Sequence, residues 1–233
     1  MARLSAIIPA AGSGIRMGAS VPKPFIKLGE YSILQHTLQA LLKSEELCQL
    51  IVACQQEHIS KVKQVFEAFD HSAVELLVVE GGKERQFSIY NALQFVSGDA
   101  ELVAVHDAVR PFIQSEQIAK CCQLALKLGG AVLGVPAKDT IKQVGEGGAI
   151  VSTPDRSALW QAQTPQVFRK ELLTEAYQKA INDNFVGTDD ASLVERIGGK
   201  VGMVKGGREN LKITYPIDLE VAKLIMRQED DVI

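Results

Sequence analysis

Arg16 and Lys23 stand in PAAGSGIRMGASVPKPF, residues 9–25, a stretch too rich in Gly and Pro to be regular. Ala10, Ala11, Gly12, Ser13 and Gly14 follow the apolar run LSAII, and small residues at such a turn let a phosphate approach backbone N–H groups closely. Two cations beside that turn suit a triphosphate, where charge grows on the leaving pyrophosphate as the α-phosphorus is attacked. The plainer alternative is a solvated surface pair. Two other glycine-turn chemistries fail on spacing. Gly12, Gly14 and Gly18 resemble a dinucleotide turn, but that motif needs a helix starting at the turn and an acidic residue roughly 20 positions later at the end of the second strand. Gly18, Pro22 and Pro24 interrupt any such helix, and the next strand ends near Cys54 without the acid. No Gly-Lys-Ser/Thr follows the turn, which excludes a Walker A loop.

Three further segments carry candidate groups. In VVEGGKERQFSIYNAL, Gly81 and Gly82 form a second turn, and Ser88 at the start of a helix could cap it or touch a ligand. In VAVHDAVRP an apolar run delivers His106, Asp107 and Arg110. One carboxylate suffices for Mg2+ when the other ligands are phosphate oxygens and water, so Asp107 is the candidate metal contact. His106 reads as an orienting or buried histidine, because no second His stands at ligand spacing. In GGRENLKIT, Lys212 follows a loop after a late strand, a place where a lone lysine is commonly just a surface charge.

The elements that must position these groups are short apolar runs alternating with amphipathic segments. Strands are expected at Leu4–Ile8, Leu50–Cys54, Glu75–Val79, Leu102–His106, Ala131–Val135 and Val201–Val204. Apolar residues at three- and four-residue spacing place helices at Ile33–Leu42, Ile59–Phe69, Ile89–Val96, Gln117–Leu128, Glu171–Ile181, Ala191–Ile197 and Asp218–Met226. This alternation predicts an α/β fold with a mostly parallel sheet and helices on both faces, whose strand carboxyl ends form the ligand edge. Residues 137–157 break the pattern: two short β-type runs, Ile141–Val144 and Ala149–Thr153, flank Gly-Glu-Gly-Gly and read as a β-hairpin. An isolated hairpin is marginal in water, so it packs either on its own domain or, as an arm, on a second subunit.

A chain of 233 residues fits one domain of this class. With 46% hydrophobic and 23% charged residues and a net charge of -3, the chain has no basic excess to support non-specific nucleic-acid binding. Cys48, Cys54, Cys121 and Cys122 lack zinc or redox spacing and read as structural thiols of a reducing compartment. No apolar run is long enough to span a membrane as a helix. MARLSAIIPAAG is too short in its apolar part for a signal peptide and reads as a strand and turn, so a cytoplasmic location is expected.

PAAGSGIRMG with PKPF, EGGKERQFS, VHDAVRP, KDT, DR, QTPQVF, TDDAS and GRENLKIT occur in this order across nearly the whole chain. Together they resemble the 2-C-methyl-D-erythritol 4-phosphate cytidylyltransferases of the non-mevalonate isoprenoid pathway. The resemblance implies a Rossmann-like nucleotidyltransferase fold and a homodimer. It also implies Mg2+-dependent reaction of CTP with methylerythritol phosphate to give CDP-methylerythritol and pyrophosphate. Carried over by motif, Ala10, Ala11 and Gly12 would line the CTP site, with Gly82 and Ser88 reading the cytosine. Arg16 and Lys23 match transition-state stabilisers, and Asp107 a metal and phosphate contact. Arg156 and Lys212 match the pair that positions the acceptor phosphate, with Arg110, Thr140, Thr164 and Thr188 as helpers. The resemblance also makes the hairpin a dimerisation arm that brings Thr140 and Arg156 to the partner's site. Pro24 departs from the pattern, standing where the family often has Gln, and Glu209 matches too loosely to carry a role. The rivals are a ribitol 5-phosphate cytidylyltransferase of the same fold and a non-catalytic nucleotide-binding domain.

Overall fold

The structure, a computed structural model, describes residues 2–12, 21–69 and 73–230. Its elements, in chain order, are β1 (Leu4–Pro9), β2 (Lys27–Leu28), β3 (Tyr31–Ser32), α1 (Ile33–Leu42), β4 (Leu47–Cys54), α2 (Ile59–Glu67), β5 (Glu75–Glu80) and α3 (Arg85–Leu93). There follow β6 (Leu102–Val105), α4 (Ser115–Leu128), β7 (Gly129–Pro136), β8 (Gln143–Val144), β9 (Ile150–Ser152), β10 (Trp160–Arg169), α5 (Lys170–Asn182), α6 (Asp190–Arg196), β11 (Lys200–Lys205) and α7 (Pro216–Asp230). Seven strands form one sheet in the order β11-β7-β10-β6-β1-β4-β5. Pairing is parallel except where β10 runs antiparallel between β6 and β7, so the sheet is mostly parallel, as expected.

Side-chain alternation along β1 explains the two covered faces. Leu4, Ala6 and Ile8 join Leu50, Val52, Leu102 and Ala104 against apolar residues of α1, α2 and α4. Ile7 points the other way and joins Ile51, Ala53, Val103 and Val105 against α3, α5 and α6. Each fully buried Ile or Leu in these layers contributes about 2 kcal/mol relative to exposure. A third cluster, Leu28, Ile33, Phe112, Ile213 and Ala222, seats α7 and the small β2–β3 ladder beside the sheet edge. Among the described residues three helices start on capping boxes, Ser32 with Gln35 at α1, Gln114 with Gln117 at α4 and Asp189 with Ser192 at α6.

Strand β10 is the element that hydrophobic periodicity does not find. Its sequence WQAQTPQVFR carries three Gln, a Thr and a Pro, yet Gln163, Thr164, Gln166, Val167 and Phe168 are buried. The polar ones are buried because they tie down loops. Gln166 donates to Asp189 Oδ2 at 2.9 Å and accepts from the Ala191 N–H at 2.9 Å. Gln163 donates to the Gly207 carbonyl and accepts from Asn210 Nδ2. The register with β7 shifts between Ala162 and Gln166, where the cis Thr164–Pro165 peptide lies. Helix α3 also begins earlier than its apolar period suggests, because Arg85, Gln86 and Ser88 in its first turn have polar partners.

The expected hairpin is present as β8 and β9, paired antiparallel. Ile141, Val144, Ile150 and Val151 are all exposed, at 37%, 55%, 62% and 65%, so the hairpin finds little apolar support among the described residues. It leaves the body between the end of β7 and the start of β10, where the Ala137 N–H donates to the Leu159 carbonyl.

Candidate active site

The carboxyl ends of β1, β4, β5 and β6 meet at one cleft of about 690 Å³. Its walls include Ala10, Ala11, Gly12, Lys23, Gly82, Arg85, Ser88, Asp107 and Lys212. The first turn is held by backbone pairing: the Ala10 N–H donates to Ala53 O at 2.7 Å, and Gln55 Nε2 donates to Ala11 O at 3.1 Å. A Cβ placed on Gly12 would meet no heavy atom of the described residues within 4 Å, and the residue lines the cleft. Arg16, Ser13, Gly14 and Gly18 lie outside the described residues.

Lys23 opens a single 3-10 turn, Lys23–Phe25, whose Pro24 and Phe25 are buried. Pro24 sits where a helix's first turn leaves N–H groups unpaired, so its missing donor forfeits no helical bond. Phe25 packs edge-on to His58 at 5.1 Å between centroids, which roots the lysine's backbone in the core.

The second turn depends on glycine for space. A Cβ on Gly81 would come within 2.7 Å of Ala11 Cβ and 3.0 Å of Ser88 Oγ, and one on Gly82 would overlap Phe87. The Ser88 hydroxyl accepts the Gly82 N–H at 3.0 Å and donates to the Glu84 carbonyl at 3.0 Å. Ser88 thus braces the loop that follows β5, although Glu84 and not Ser88 occupies the N-cap position of α3.

Asp107 is the electrostatic centre. Its Oδ2 faces Arg110 Nε at 3.1 Å and Lys212 Nζ at 3.1 Å, while Oδ1 faces Arg85 Nε at 3.7 Å. Burial alone would raise its pKa, but Lys212, Arg85 and Arg110 outweigh that and hold the carboxyl well below the usual range. The loop bearing it is fixed by a closed hydrogen-bond chain. The Asp107 N–H donates to Thr164 Oγ1 at 3.0 Å, and Thr164 Oγ1 lies 3.2 Å from His106 Nδ1. His106 Nε2 lies 3.0 Å from the Arg110 carbonyl. A carbonyl only accepts, so Nε2 carries the proton and Nδ1 accepts from the threonine hydroxyl. Burial pushes the His106 pKa down to about 4, and the ring is neutral. Arg110 completes the knot by donating from Nη1 to Asn210 O at 2.7 Å.

The expected residues therefore separate into two groups. Ala10, Ala11, Gly12, Lys23, Gly82, Ser88, Asp107 and Lys212 line the cleft together. Arg110, buried beneath Asp107, also lines an adjoining hollow with Gln161, Gln163, Arg208 and Lys212. Thr164 is buried, with its hydroxyl committed to the Asp107 loop rather than to the cleft. Thr140 and Arg156 lie exposed on or beside the hairpin, where Arg156 Nη1 donates to Lys138 O, and Thr188 is exposed before α6. None of these three lines the cleft. Sequence reasoning passed over Arg85, although it stands inside the EGGKERQFS segment, because its partner Asp190 is 105 residues away.

Among the described residues no group of three or more His, Cys, Asp or Glu could cage a metal. Asp107 still suits a hard cation that takes one carboxylate and completes its shell with phosphate oxygens and water, because Oδ1 has only Arg85 beside it, at 3.7 Å, among the described residues.

A mostly parallel sheet with a small-residue turn, a lysine and a cation-flanked aspartate at its carboxyl edge defines a nucleotide-handling α/β protein. The chain's residues 4–228 match the family model of 2-C-methyl-D-erythritol 4-phosphate cytidylyltransferase, IspD. It is 42% identical over 97% of its length to the protein of that name from Caldanaerobacter subterraneus, covering 99% of that relative. It is 44% identical to the Bacillus cereus one, over 95% of this chain and 96% of the other. The crystal structure of 4-diphosphocytidyl-2C-methyl-D-erythritol synthase from Anaerococcus prevotii superposes with a TM-score of 0.86 at 30% identity, covering 97% of this chain and 99% of that one. The chain belongs to the 2-C-methyl-D-erythritol 4-phosphate cytidylyltransferase family.

Proposed function

We propose that this chain transfers the cytidylyl group of CTP to 2-C-methyl-D-erythritol 4-phosphate, giving CDP-methylerythritol and pyrophosphate for isoprenoid precursor synthesis. The observation that carries this reading is that one cleft holds cations for two phosphate groups: Lys23 beside the Ala10–Gly12 turn, and Lys212 beside Asp107, whose same oxygen Arg110 braces from the adjoining hollow.

The acceptor phosphate is anionic at neutral pH and is itself the nucleophile, so the chain needs no nucleophile or general base of its own. Its work is alignment and charge neutralisation. Ala10, Ala11 and Gly12 take the triphosphate through backbone groups, and Lys23 with Arg16 stabilises charge on the leaving pyrophosphate. Gly82, whose N–H is used by Ser88, presents its carbonyl to the cytosine amino group, which donates hydrogen bonds. Mg2+, held by Asp107 and the phosphate oxygens, supplies further positive charge when bound. Lys212 and Arg110 draw in the acceptor phosphate, with Thr164 holding the Asp107 loop and Thr188 lying at the acceptor side.

In this reading the working unit is a homodimer of one-domain chains in the cytoplasm. The unsupported apolar hairpin of residues 137–157 crosses to the partner and delivers Thr140 and Arg156 to the partner's cleft, which explains why neither walls its own. Among the described residues no helix is long and apolar enough to cross a membrane.

Pyrophosphate release by the purified protein with CTP and Mg2+ tests the assignment, run separately with methylerythritol phosphate and ribitol 5-phosphate. Turnover with the first acceptor is expected. Turnover with ribitol phosphate alone, or with neither, would overturn it.

A further inference from the structure

Asp190, the first residue of α6, is fully buried, so its charge must be answered inside the protein. Arg85 answers it as a fork: Nη1 donates to Oδ1 at 3.1 Å and Nη2 to Oδ2 at 2.7 Å. The buried Tyr177 hydroxyl of α5 adds a third donor, to Oδ1 at 2.5 Å. A bidentate arginine–carboxylate pair fixes the plane of the guanidinium. In that orientation Nε, one of three N–H groups the pair leaves over, lies 3.7 Å from Asp107 Oδ1, an ion-pair distance rather than a hydrogen bond. Arg85 therefore places its charge beside the one Asp107 oxygen that Arg110 and Lys212 do not face. It also stands at the start of α3, just beyond the Gly81–Gly82 turn.

We propose that Arg85, clamped by Asp190 and Tyr177, is a positioning residue that orients the Asp107 carboxylate and ties it to the loop after β5. The proposal rests on the reading of the cleft as a cytidylyl-transfer site. A lysine at position 85 keeps the charge but has a single nitrogen, which cannot both clamp Asp190 and aim at Asp107. A buried ion pair whose only role is structural can be replaced by apolar residues of similar volume without loss.

The test compares the unsubstituted protein with Arg85→Lys and with the double variant Arg85→Met plus Asp190→Leu, in steady-state pyrophosphate release and thermal unfolding. Misplacement of reacting groups by about 1 Å costs on the order of 100-fold in rate. The double variant, which leaves the buried Tyr177 hydroxyl without its partner, is expected to fold but to unfold several degrees lower, with kcat lowered about 100-fold. Arg85→Lys is expected to lose about tenfold in kcat, with the KM for CTP little changed. Near-normal kcat in a folded double variant would show a purely structural pair and overturn the proposal. If the double variant does not fold, near-normal kcat in Arg85→Lys overturns it alone, and the tenfold loss supports it. Absence of turnover in the unsubstituted protein would overturn the functional reading, and this proposal with it. Normal turnover there with unimpaired variants would overturn this proposal only.

Discussion

His106 makes the stability of this protein depend on pH in a window that few other groups share. In the unfolded chain its imidazole titrates at the ordinary 6.5, and in the fold at about 4, because burial disfavours the charged ring. Between those values the unfolded state binds a proton that the folded state does not. The contribution is therefore fully present above pH 6.5 and is lost as pH falls toward 4. Each pH unit inside the window is worth about 1.4 kcal/mol, so the whole shift amounts to about 3 kcal/mol, and going from pH 7 to pH 5 costs about 2 kcal/mol. Asp107, with its depressed pKa, loses its contribution only below the ordinary carboxylate value of 3.8, outside this interval. The assay is urea unfolding followed by far-UV circular dichroism at pH 7 and pH 5, at one protomer concentration and without divalent metal. The comparison is with His106→Asn, which can still accept from Thr164 but leaves the Arg110 carbonyl unpaired. At pH 7 the variant should be less stable by about 1 to 3 kcal/mol. Its loss between pH 7 and pH 5 should shrink by about 2 kcal/mol relative to the unsubstituted protein. Parallel losses in the two proteins would refute the reasoning, since the buried ring would then not be the group that refuses the proton.

Two glycines, Gly12 in the cleft wall and Gly81 packed behind it, should respond differently to alanine. Gly12→Ala adds a methyl to open space and should leave the melting temperature unchanged while raising the KM for CTP about tenfold. Gly81→Ala pushes against Ala11 and Ser88 and should lower the melting temperature by several degrees, consistent with about 1 to 3 kcal/mol of overpacking; calorimetry and steady-state kinetics separate the two. If the hairpin crosses between subunits, the protein should sediment at about twice the 25.3 kDa of the chain. Arg156→Ala and Lys212→Ala proteins, each nearly inactive, should on mixing and reassembly recover about a quarter of normal activity, because half the dimers are mixed and each has one intact site. No recovery would place Arg156 in its own protomer's site.

The strands β1, β4, β5, β6, β7 and β11 and all seven described helices were legible in the sequence because each buries a face with a single period, visible within ten residues. The same holds for the cleft's glycines and for Asp107, which stand just past strand ends, while Lys23 was legible from its Gly- and Pro-rich segment. Strand β10 was not legible as a strand, since its buried Gln163 and Gln166 take partners from residues 189–210 that no local pattern announces. Thr164, which the resemblance made a helper at the acceptor phosphate, shows the same limit: its hydroxyl bonds the Asp107 N–H and His106, residues 57 and 58 positions away.

Sequence by itself determined the alternation of layers, the ligand edge and two of the charged groups at it, Lys23 and Asp107, because these follow from hydrophobic period and turn chemistry. Only the tertiary structure decided that Arg85 is held by Asp190, that His106 is neutral, and that Asp107 has one oxygen covered by two cations and the other facing a third. The physical reason is that burial and charge pairing depend on distances between residues far apart in the chain, and those distances exist only once the sheet has closed around them.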